Sequence, residues 1–249
     1  MNPMQEVPIA IFRGPNQADT NIQHQVVQLE ALLQRISSAH QSVWFASSLA
    51  AEDNVIFDAL ARLQLPIQTF SLNTGRLHAE TLAVANALKA KYSQELVWFQ
   101  PNSQAVQSYI ELHGQDAFYE SVELRKACCN LRKVEPLQRA LSHADAWITG
   151  QRKAQASTRS DLPESEFDTV HQLHKFNPLA SWSEADVWTY IRQYQVPVNP
   201  LHFQGYPSIG CAPCTRPIAI GEEIRAGRWW WEDPSLKECG LHASNLKRS

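Results

Sequence analysis

Short apolar segments alternate with amphipathic segments along the N-terminal part of the chain, and this alternation constrains the fold more than any other feature. Three short apolar segments are typical of buried strands: 42–47, 67–72 and 95–99. Segments with apolar residues at helical spacing precede or separate them: 23–38, 55–63 and 78–92. Strands that alternate with helices of this length predict βαβ units. The sequence therefore predicts an α/β fold, with a mainly parallel sheet flanked by helices.

The rest of the chain predicts fewer regular elements and ends in a loop-rich segment. A helix is expected from about residue 130 to 141 and a strand at 146–149, followed by a polar, basic loop. Ser183 and Asp186 have the spacing of a capping box at the start of another helix. From Pro197 onward, six prolines disfavour helices and strands. We therefore predict an α/β domain over residues 1–200 and a segment of loops, 201–249, packed on it.

Composition and the N-terminus predict a cytoplasmic protein with no membrane partner. The chain has 249 residues, an apolar fraction of 44% and a charged fraction of 19%, typical of a soluble globular protein. No apolar run reaches the roughly 18 to 20 residues that span a bilayer. Residues 1–15 lack the pattern of a secretory signal. In the cytoplasm thiols stay reduced, so clustered cysteines favour metal binding or catalysis over disulfides.

The distribution of charge favours a small anionic ligand. The net charge of −3 argues against general nucleic-acid binding. Between residues 120 and 160, however, only four acidic residues oppose eight basic ones. The basic residues are Arg125, Lys126, Arg132, Lys133, Arg139, Arg152, Lys153 and Arg159. This excess predicts either a site for a small anion or a solvated helix face.

Three loops that follow predicted strands are candidates for a ligand site. Ligands of an open parallel sheet bind beyond the carboxyl ends of its strands. The loops at that edge are Ser47-Ser48, 73–76 and 150–152. Ser47 and Ser48 also precede a predicted helix, whose free N–H groups suit a phosphate. A serine in this position is alternatively a simple helix cap.

Four of the five cysteines form two pairs, and these pairs predict a metal site. Cys211 and Cys214 form a C-x-x-C, whereas Cys128 and Cys129 are adjacent. Both zinc and an iron–sulfur cluster are compatible with four thiolates. Adjacent cysteines reach two irons of a wide [4Fe–4S] cluster more easily than they chelate one zinc ion, so the spacing favours the cluster. A C-x-x-C redox pair and buried core thiols are the alternatives.

The fifth cysteine, Cys239, lies apart from the pairs in a polar segment close to the C-terminus. A separate thiol on a segment that can swing predicts a nucleophile.

The cysteines belong to a longer set of motifs that runs through most of the chain. The motifs are SSLAAED (47–53), SLNTGRLH (71–78), CCNLRK (128–133), TGQR (149–152), KFNPL (175–179), GCAPCTRP (210–217), RAGRWWWE (225–232) and KECGLH (237–242). Together they resemble the assimilatory sulfonucleotide reductases, specifically the cluster-containing adenylyl-sulfate (APS) reductases. The cysteine pattern with the terminal ECGLH is the most specific part of the resemblance. Asn73 and Ala50 depart from it, since many relatives carry Asp and Gly there.

The resemblance implies a fold, a cofactor and a reaction. The fold is that of the adenine-nucleotide α-hydrolases, and residues 1–200 become a nucleotide-binding reductase domain with a mobile catalytic tail in 201–249. A [4Fe–4S] cluster is expected on Cys128, Cys129, Cys211 and Cys214. The Cys239 thiolate is expected to attack the sulfur of adenylyl sulfate, releasing AMP and leaving an S-sulfocysteine. Thioredoxin, or a glutaredoxin-like dithiol, then releases sulfite for sulfate assimilation and cysteine biosynthesis.

The resemblance also implies the residues that bind the substrate. Ser47 and Ser48 form a modified pyrophosphatase loop, while Leu72 and Gly150 match positions that contact the nucleoside. Arg159 matches a loop arginine near the substrate. The cations expected to neutralise the anionic substrate are Lys133, Arg225, Arg228 and, with them, His242. Their field would also lower the pKa of Cys239. An oligomer of identical chains is expected.

Three other functions compete with this one. A reductase of phosphoadenylyl sulfate (PAPS) has the same chemistry, but its members generally lack the two cysteine pairs. A tRNA-thiolating ATP pyrophosphatase would need an intact Gly-rich loop and a basic surface, and the chain has neither. In a non-enzymatic metal-binding module, replacing Cys239 would change no activity.

Overall fold

The computed structural model describes residues 18–155 and 161–233 of the chain. Its strands are β1 (Val43–Ala46), β2 (Gln68–Leu72), β3 (Val97–Phe99), β4 (Ala146–Thr149), β5 (Ser165–Asp168) and β6 (Leu173–Phe176). Its α-helices are α1 (Gln23–Ala39), α2 (Ala51–Leu63), α3 (Ala79–Tyr92), α4 (Ser103–His113), α5 (Val122–Cys129), α6 (Glu135–Leu141) and α7 (Glu184–Tyr194). Among these residues, no helix is both long enough and apolar enough to cross a bilayer.

The strands form one mainly parallel sheet in the order β3-β2-β1-β4-β6-β5. All neighbouring pairs are parallel except β5 and β6, which run antiparallel. The chain builds outward from β1 through β2 to β3 and then returns to place β4 on the other side of β1. Such a reversal of strand order opens a crevice at the carboxyl ends of the strands. The predicted α/β class and mainly parallel sheet are confirmed.

Apolar side chains cover both faces of this sheet. On one face, helices α1, α2 and α7 pack against Val43, Phe45 and Ile148. On the other face, α6 packs against Phe70 and Trp147. Neighbouring positions of one strand point to opposite faces, which is why β4 contributes to both layers. Two apolar layers therefore hold the ends of β1, β2 and β4 in place.

The N-terminus of α7 begins as the sequence predicts. Ser183 Oγ accepts a hydrogen bond from the Asp186 backbone N–H at 3.1 Å, and the Asp186 carboxylate accepts one from the Ser183 N–H at 2.9 Å. This reciprocal pair is a capping box with aspartate in place of the usual glutamate or glutamine.

Two helices and two strands do not follow from the sequence pattern. The strands β5 and β6 are short and largely polar, so they lack the apolar pattern of a buried strand. Their pairing includes a bond between Lys175 Nζ and Glu166 Oε1 at 3.0 Å, which pairs the buried ammonium group. The helices α4 and α5 likewise bury few residues, because each packs along only a narrow stripe.

Candidate active site

A cavity of about 260 Å³ opens at the carboxyl ends of β1, β2 and β4, and we call it the nucleotide cavity because of the ligand proposed below. Residues directly after each strand line it, including Ser47, Thr74 and Gly150. The loop that contains Pro207–Cys211 and the segment 224–229 close the cavity from the C-terminal side. The cavity therefore lies where the strand order predicts a ligand site.

The Ser47-Ser48 loop does not cap helix α2. The N-cap position is Ala50, with no side-chain capping bond. Ser48 instead donates from its backbone N–H and from Oγ to Asp53 Oδ2, each at 2.6 Å. Leu49 takes a left-handed conformation with φ 63°, whereas Ala50 is extended. The loop turns at Leu49, so an alanine at position 50 carries no backbone strain.

Asp53 is a buried carboxyl group beneath this loop. Burial raises the pKa of Asp53 to about 6, while the hydrogen bonds from Ser48 oppose the rise. A methyl group at Gly150 would lie closer than 3.0 Å to Asp53 Oδ1. Only glycine lets the end of β4 approach the carboxyl group so closely. Asp53 thus ties the β1 loop to the β4 loop at the floor of the cavity.

One wall of the nucleotide cavity is apolar. It consists of Ala46, Phe70, Leu72, Leu137 and Trp147. Trp147 is held from its other side by Lys175, whose Nζ lies 5.5 Å from the ring centroid, and by the ring of His171 at 5.7 Å. A flat apolar wall of this kind suits the face of a nucleoside base.

Cationic side chains line the same cavity. They are Lys133, Arg225 and Arg228, together with Arg152, which is paired with Glu52. Arg228 Nη1 donates to the Ile209 carbonyl at 3.3 Å, and its guanidinium lies 4.7 Å from the ring centroid of Trp229. A side chain at Gly210 would collide with this guanidinium, so glycine there makes room for Arg228. Lys133, Arg225 and Arg228, together with the apolar residues of the same cavity, suit a ligand with a base at one end and negative charge at the other.

A second, smaller cavity of about 20 Å³, the cysteine cavity, is lined by all four paired cysteines. Cys128 and Cys129 come from the end of α5, and Cys211 and Cys214 from a loop with a short 3₁₀ turn. The four thiols form no disulfide. Among residues 18–155 and 161–233, no three or more His, Cys, Asp or Glu side chains are arranged to hold a single metal ion. The four thiols therefore line one cavity, but they do not converge on the position of a single metal ion.

The helix that carries Cys128 and Cys129 continues into α6 through a π turn. The π segment spans Asn130–Val134, and it contains Arg132 and Lys133. A π turn holds an extra residue and often marks a functional site. It allows the cysteines and the cations of one continuous helix to face the same cavity.

Basic residues surround the thiols and oppose the effect of burial. Burial raises the pKa of Cys214 to about 12, and the neighbouring Cys211 adds to the rise. Burial also disfavours the Cys211 thiolate, but Lys133, Thr74 and Arg228 outweigh that effect and lower the pKa of Cys211. The cysteine cavity therefore places an anionic group among fixed positive charges.

The two cavities share a wall. Lys133 and Cys211 line both of them. Thr74, which follows β2, has its Oγ1 3.2 Å from Cys211 Sγ, and its carbonyl accepts a bond from Arg132 Nη1 at 2.7 Å. Asn73 shapes the same loop, because its Oδ1 accepts a bond from the Gly75 N–H at 3.0 Å. An asparagine at position 73 therefore keeps the turn without adding a charge.

Most of the predicted site residues are brought together in this region. The substrate-binding candidates Ser47, Ser48, Leu72, Lys133, Gly150, Arg225 and Arg228 line the nucleotide cavity. The cluster candidates Cys128, Cys129, Cys211 and Cys214 line the cysteine cavity. The nucleophile candidate Cys239 and the cations Arg159 and His242 lie outside the described residues.

Sequence reasoning missed three residues that shape the site: Asp53, Thr74 and Trp147. The sequence pattern places Asp53 only at the start of a helix, although an acid that follows a serine loop by one turn is a signal for this contact. Thr74 follows a strand in a turn motif, and Trp147 lies on a predicted strand. Their partners are far away in the sequence, so only the fold reveals them.

The match to known proteins is consistent with this geometry. Residues 42–217 match the model of the phosphoadenosine phosphosulfate reductase domain. The chain belongs to the phosphoadenosine phosphosulfate reductase family. This match confirms the resemblance that the sequence motifs indicate. The fold and the two cavities are therefore those of a member of this family.

Curated relatives extend the match over most of the chain. An adenosine 5′-phosphosulfate reductase of Burkholderia cepacia is 56% identical over 221 residues, which cover 89% of this chain and 88% of the relative. Another from Allochromatium vinosum is 51% identical and covers 85% of this chain and 82% of the relative. One from Neisseria meningitidis serogroup A is 50% identical, with coverages of 91% and 93%.

Solved structures show the same fold. A phosphoadenylyl-sulfate reductase from Candida auris, in a phosphate complex, has a TM-score of 0.63 and 25% identity, covering 80% of this chain and 100% of that chain. An NAD synthetase from Campylobacter jejuni has a TM-score of 0.51 at 14% identity, covering 71% of this chain and 75% of that chain. The second likeness concerns the fold alone.

Proposed function

We propose that this enzyme reduces adenylyl sulfate to sulfite and AMP. The observation that carries the proposal is the nucleotide cavity, which has an apolar wall, a serine loop and three cations on the edge of a parallel sheet. The relatives that match most of the chain carry the name of the same activity. The enzyme is accordingly an oxidoreductase that acts on a sulfur group.

The apolar wall and the cations orient the substrate. The adenine base lies against Leu72, Phe70 and Trp147, and Gly150 leaves room for the nucleoside. The phosphate lies by Ser47 and Ser48 at the open N-terminus of α2. The sulfo group then points toward Lys133, Arg225 and Arg228. Arg159 and His242 complete the cationic set in this proposal, on the strength of the family motifs.

Cys239 supplies the nucleophile. Its thiolate attacks the substrate sulfur, the bond between that sulfur and the bridging oxygen breaks, and AMP leaves with the electron pair of that bond. The product on the enzyme is a Cys239 S-sulfocysteine. One thiolate of a dithiol reductant such as thioredoxin then attacks Cys239 Sγ, breaks its bond to the sulfo sulfur and releases sulfite, leaving a mixed disulfide. The second thiol of the reductant breaks that mixed disulfide, frees Cys239 and closes the disulfide of the reductant, so the two electrons come from the dithiol.

The cations make this approach of two anions possible. Lys133, Arg225 and Arg228 offset the negative charge of the substrate before the thiolate arrives. The same charges lower the pKa of an approaching thiol and so raise its thiolate fraction. The cations thus serve both binding and transfer.

The four remaining thiols fit a [4Fe–4S] cluster. Such clusters are held by four thiolates, and Cys128, Cys129, Cys211 and Cys214 line one cavity without forming a disulfide. Arg125, Arg132 and Lys133 line the same cavity and offset the negative charge of these thiolates. When bound, the cluster would supply a fixed anionic charge beside Lys133 and link α5 to the C-x-x-C loop.

The proposal includes a location and a division of the chain. A dithiol reductant and thiolate ligands require a reducing compartment, so we place the enzyme in the cytoplasm. Residues 1–200 form the nucleotide-binding reductase domain, and residues 201–249 supply the C-x-x-C loop, two arginines and the catalytic tail. Assembly into a homo-oligomer stays a prediction.

Sulfite production tests the proposed function. We expect the protein to form sulfite from adenylyl sulfate when a thioredoxin system is present, and Cys239→Ser to form none. PAPS is the comparison substrate, because the Candida auris structure belongs to a reductase of that nucleotide. A higher kcat/KM with PAPS would transfer the assignment to that reductase. Sulfite from neither nucleotide, in protein that retains its cluster, would contradict the proposed chemistry.

A further inference from the structure

Arg125 and Glu232 form an ion pair that is buried at both ends. Arg125 Nε donates to Glu232 Oε1 at 2.9 Å, and Arg125 Nη2 donates to Oε2 at 2.7 Å. The side chain of Arg125 is 0% exposed and that of Glu232 is 3% exposed. A bidentate pair fixes both the distance and the orientation of the two side chains. Taking two charges out of water is costly, and the contact therefore calls for an explanation beyond stability.

The two partners belong to different parts of the site. Arg125 lies on α5, four residues before Cys129, and both residues line the cysteine cavity. Its guanidinium lies 4.7 Å from the ring centroid of Trp229, which is 1% exposed. Glu232 lies three residues after Trp229, just beyond the segment 224–229 that closes the nucleotide cavity. The pair therefore joins the cysteine helix to the chain that leads toward Cys239.

The ion pair fixes the position of Glu232, which precedes the segment that carries Cys239. Cys239 is seven residues further along. Seven extended residues reach at most about 25 Å, and Trp229, three residues before Glu232, lines the nucleotide cavity, so a fixed Glu232 favours a position of Cys239 near that cavity. A shorter tether raises the effective concentration of the group at its end, which falls roughly as the −3/2 power of tether length. Releasing Glu232 would lengthen the tether, so the Cys239 thiol would reach the substrate less often.

We propose that the buried Arg125–Glu232 pair is a positioning device that anchors the start of the catalytic tail to the helix of the cysteine cavity. The inference rests on the proposed function, because it assigns the pair a role in bringing Cys239 to the substrate. Neither residue contacts the substrate in this account. Arg125 acts through Glu232, and Glu232 acts through the seven residues between it and Cys239.

The variant Glu232→Gln tests the anchor, since it keeps the shape of the side chain and removes its charge. With saturating adenylyl sulfate and no reductant, we expect the rate of sulfo transfer to Cys239 to fall about 1.7-fold, because the tether lengthens from seven residues at Glu232 to ten at the buried Trp229. The Kd of AMP and the visible absorption of the cluster should stay unchanged. Glu232→Asp keeps the charge and should recover part of the rate.

Tryptic cleavage after Lys237 tests the anchor without depending on the reaction. Trypsin must bind an extended chain around Lys237, so we expect cleavage after Lys237 to become several-fold faster in Glu232→Gln. The matched control is Glu135→Gln, which breaks the exposed pair between Glu135 and Arg139 and should change none of these measurements.

Three results have distinct meanings. Transfer at the wild-type rate, with unchanged cleavage after Lys237, would overturn the anchor. A parallel loss of AMP binding, cluster absorption and transfer would also overturn it, because the pair would then only maintain the local fold. If wild-type protein itself forms no adduct, the proposed function is wrong, and the trypsin experiment still decides whether Glu232 restrains the tail.

Discussion

The nucleotide cavity and the cysteine cavity lie side by side but are built in opposite ways. The first has about 260 Å³ and is formed mainly by loops after three strands, with apolar and cationic side chains in its lining. The second has about 20 Å³ and is formed mainly by one helix and one short loop, together with Arg76 and Phe118, with four thiols among basic residues. A wide cavity suits a ligand that enters and leaves. A small cavity of thiols suits a group that stays bound.

Because the two cavities are lined by largely different residues, we expect that a substitution can damage one and leave the other intact. Cys214→Ser should show this with the largest effect. Cys214 lines only the cysteine cavity. Removing one of four ligands should lower the cluster content, measured by iron and by visible absorption, at least ~10-fold. The Kd of AMP should change much less. If AMP binding falls in parallel with iron, the two cavities are one cooperative unit and the comparison fails.

Gly150→Ala should damage the nucleotide cavity alone. The added methyl group would lie closer than 3.0 Å to Asp53 Oδ1 and push the β1 and β4 loops apart. We expect the Kd of AMP, measured by calorimetry, to rise about 100-fold, which corresponds to about 3 kcal/mol of overpacking. Cluster absorption should be retained.

Gly114→Ala is the control for this change. A methyl group there meets nothing within 4 Å, although its φ of 96° makes alanine strained. It should lower stability without changing AMP affinity. Equal effects of the two alanine variants on the Kd of AMP would show that close approach at Gly150 is unimportant.

Asp53 should give the nucleotide cavity a pH dependence of its own. Burial raises the pKa of Asp53 from 3.8 to about 6. Between these values the folded protein binds a proton that the unfolded chain has lost, so this stabilising contribution is present at low pH and is lost as pH rises through about 6. From about pH 4.5 to about pH 7.5 the loss amounts to about 2 kcal/mol.

Asp53→Asn cannot ionise and should escape this loss. We expect its melting temperature, relative to wild type, to rise by about 5 °C between about pH 4.5 and about pH 7.5. Asp145→Asn is the control: burial opposes ionisation of Asp145, but hydrogen bonds from backbone N–H groups such as those of Gln41 and Ser42 together outweigh it and lower the pKa of Asp145. Its difference from wild type should be flat over the same range. A flat difference for Asp53→Asn would mean that this carboxyl titrates normally.

Lys133→Met sharpens the comparison, because Lys133 lines both cavities. Loss of its charge should raise the Kd of adenylyl sulfate, measured in the Cys239→Ser background, about 10-fold, since charge-assisted contacts contribute about 1.5 kcal/mol. It should also shift the visible spectrum of the cluster. Lys126→Met, an exposed lysine on the same helix, should change neither. An effect confined to one cavity would show that the shared wall does not couple them.

The parts of the fold that follow local periodicity can be predicted from the sequence. β1, β2 and β4 are short apolar segments and α1 has apolar residues at helical spacing, so their order alone locates the ligand edge of the sheet. β5 and β6 cannot be found this way, because they are polar and their pairing depends on Lys175 and Glu166.

The features of the site divide in the same way into those that a local sequence pattern predicts and those that depend on contacts between distant residues. The adjacency of Cys128 and Cys129 and the spacing of Cys211 and Cys214 are local patterns, and they are enough to predict one four-thiol site. The π turn after Cys129 cannot be predicted, since helix type depends on hydrogen-bond register. Neither can the Arg125–Glu232 pair, whose members are 107 residues apart.

The location of the sulfo adduct tests the central claim that Cys239 performs the chemistry and the four paired cysteines do not. Protein with its cluster is incubated anaerobically with adenylyl sulfate and no reductant, and then analysed by intact mass and peptide mapping. We predict one sulfo group, found on Cys239 and removed by thioredoxin. An adduct on any of the four paired cysteines, or no adduct in protein that binds AMP and holds its cluster, would contradict the account.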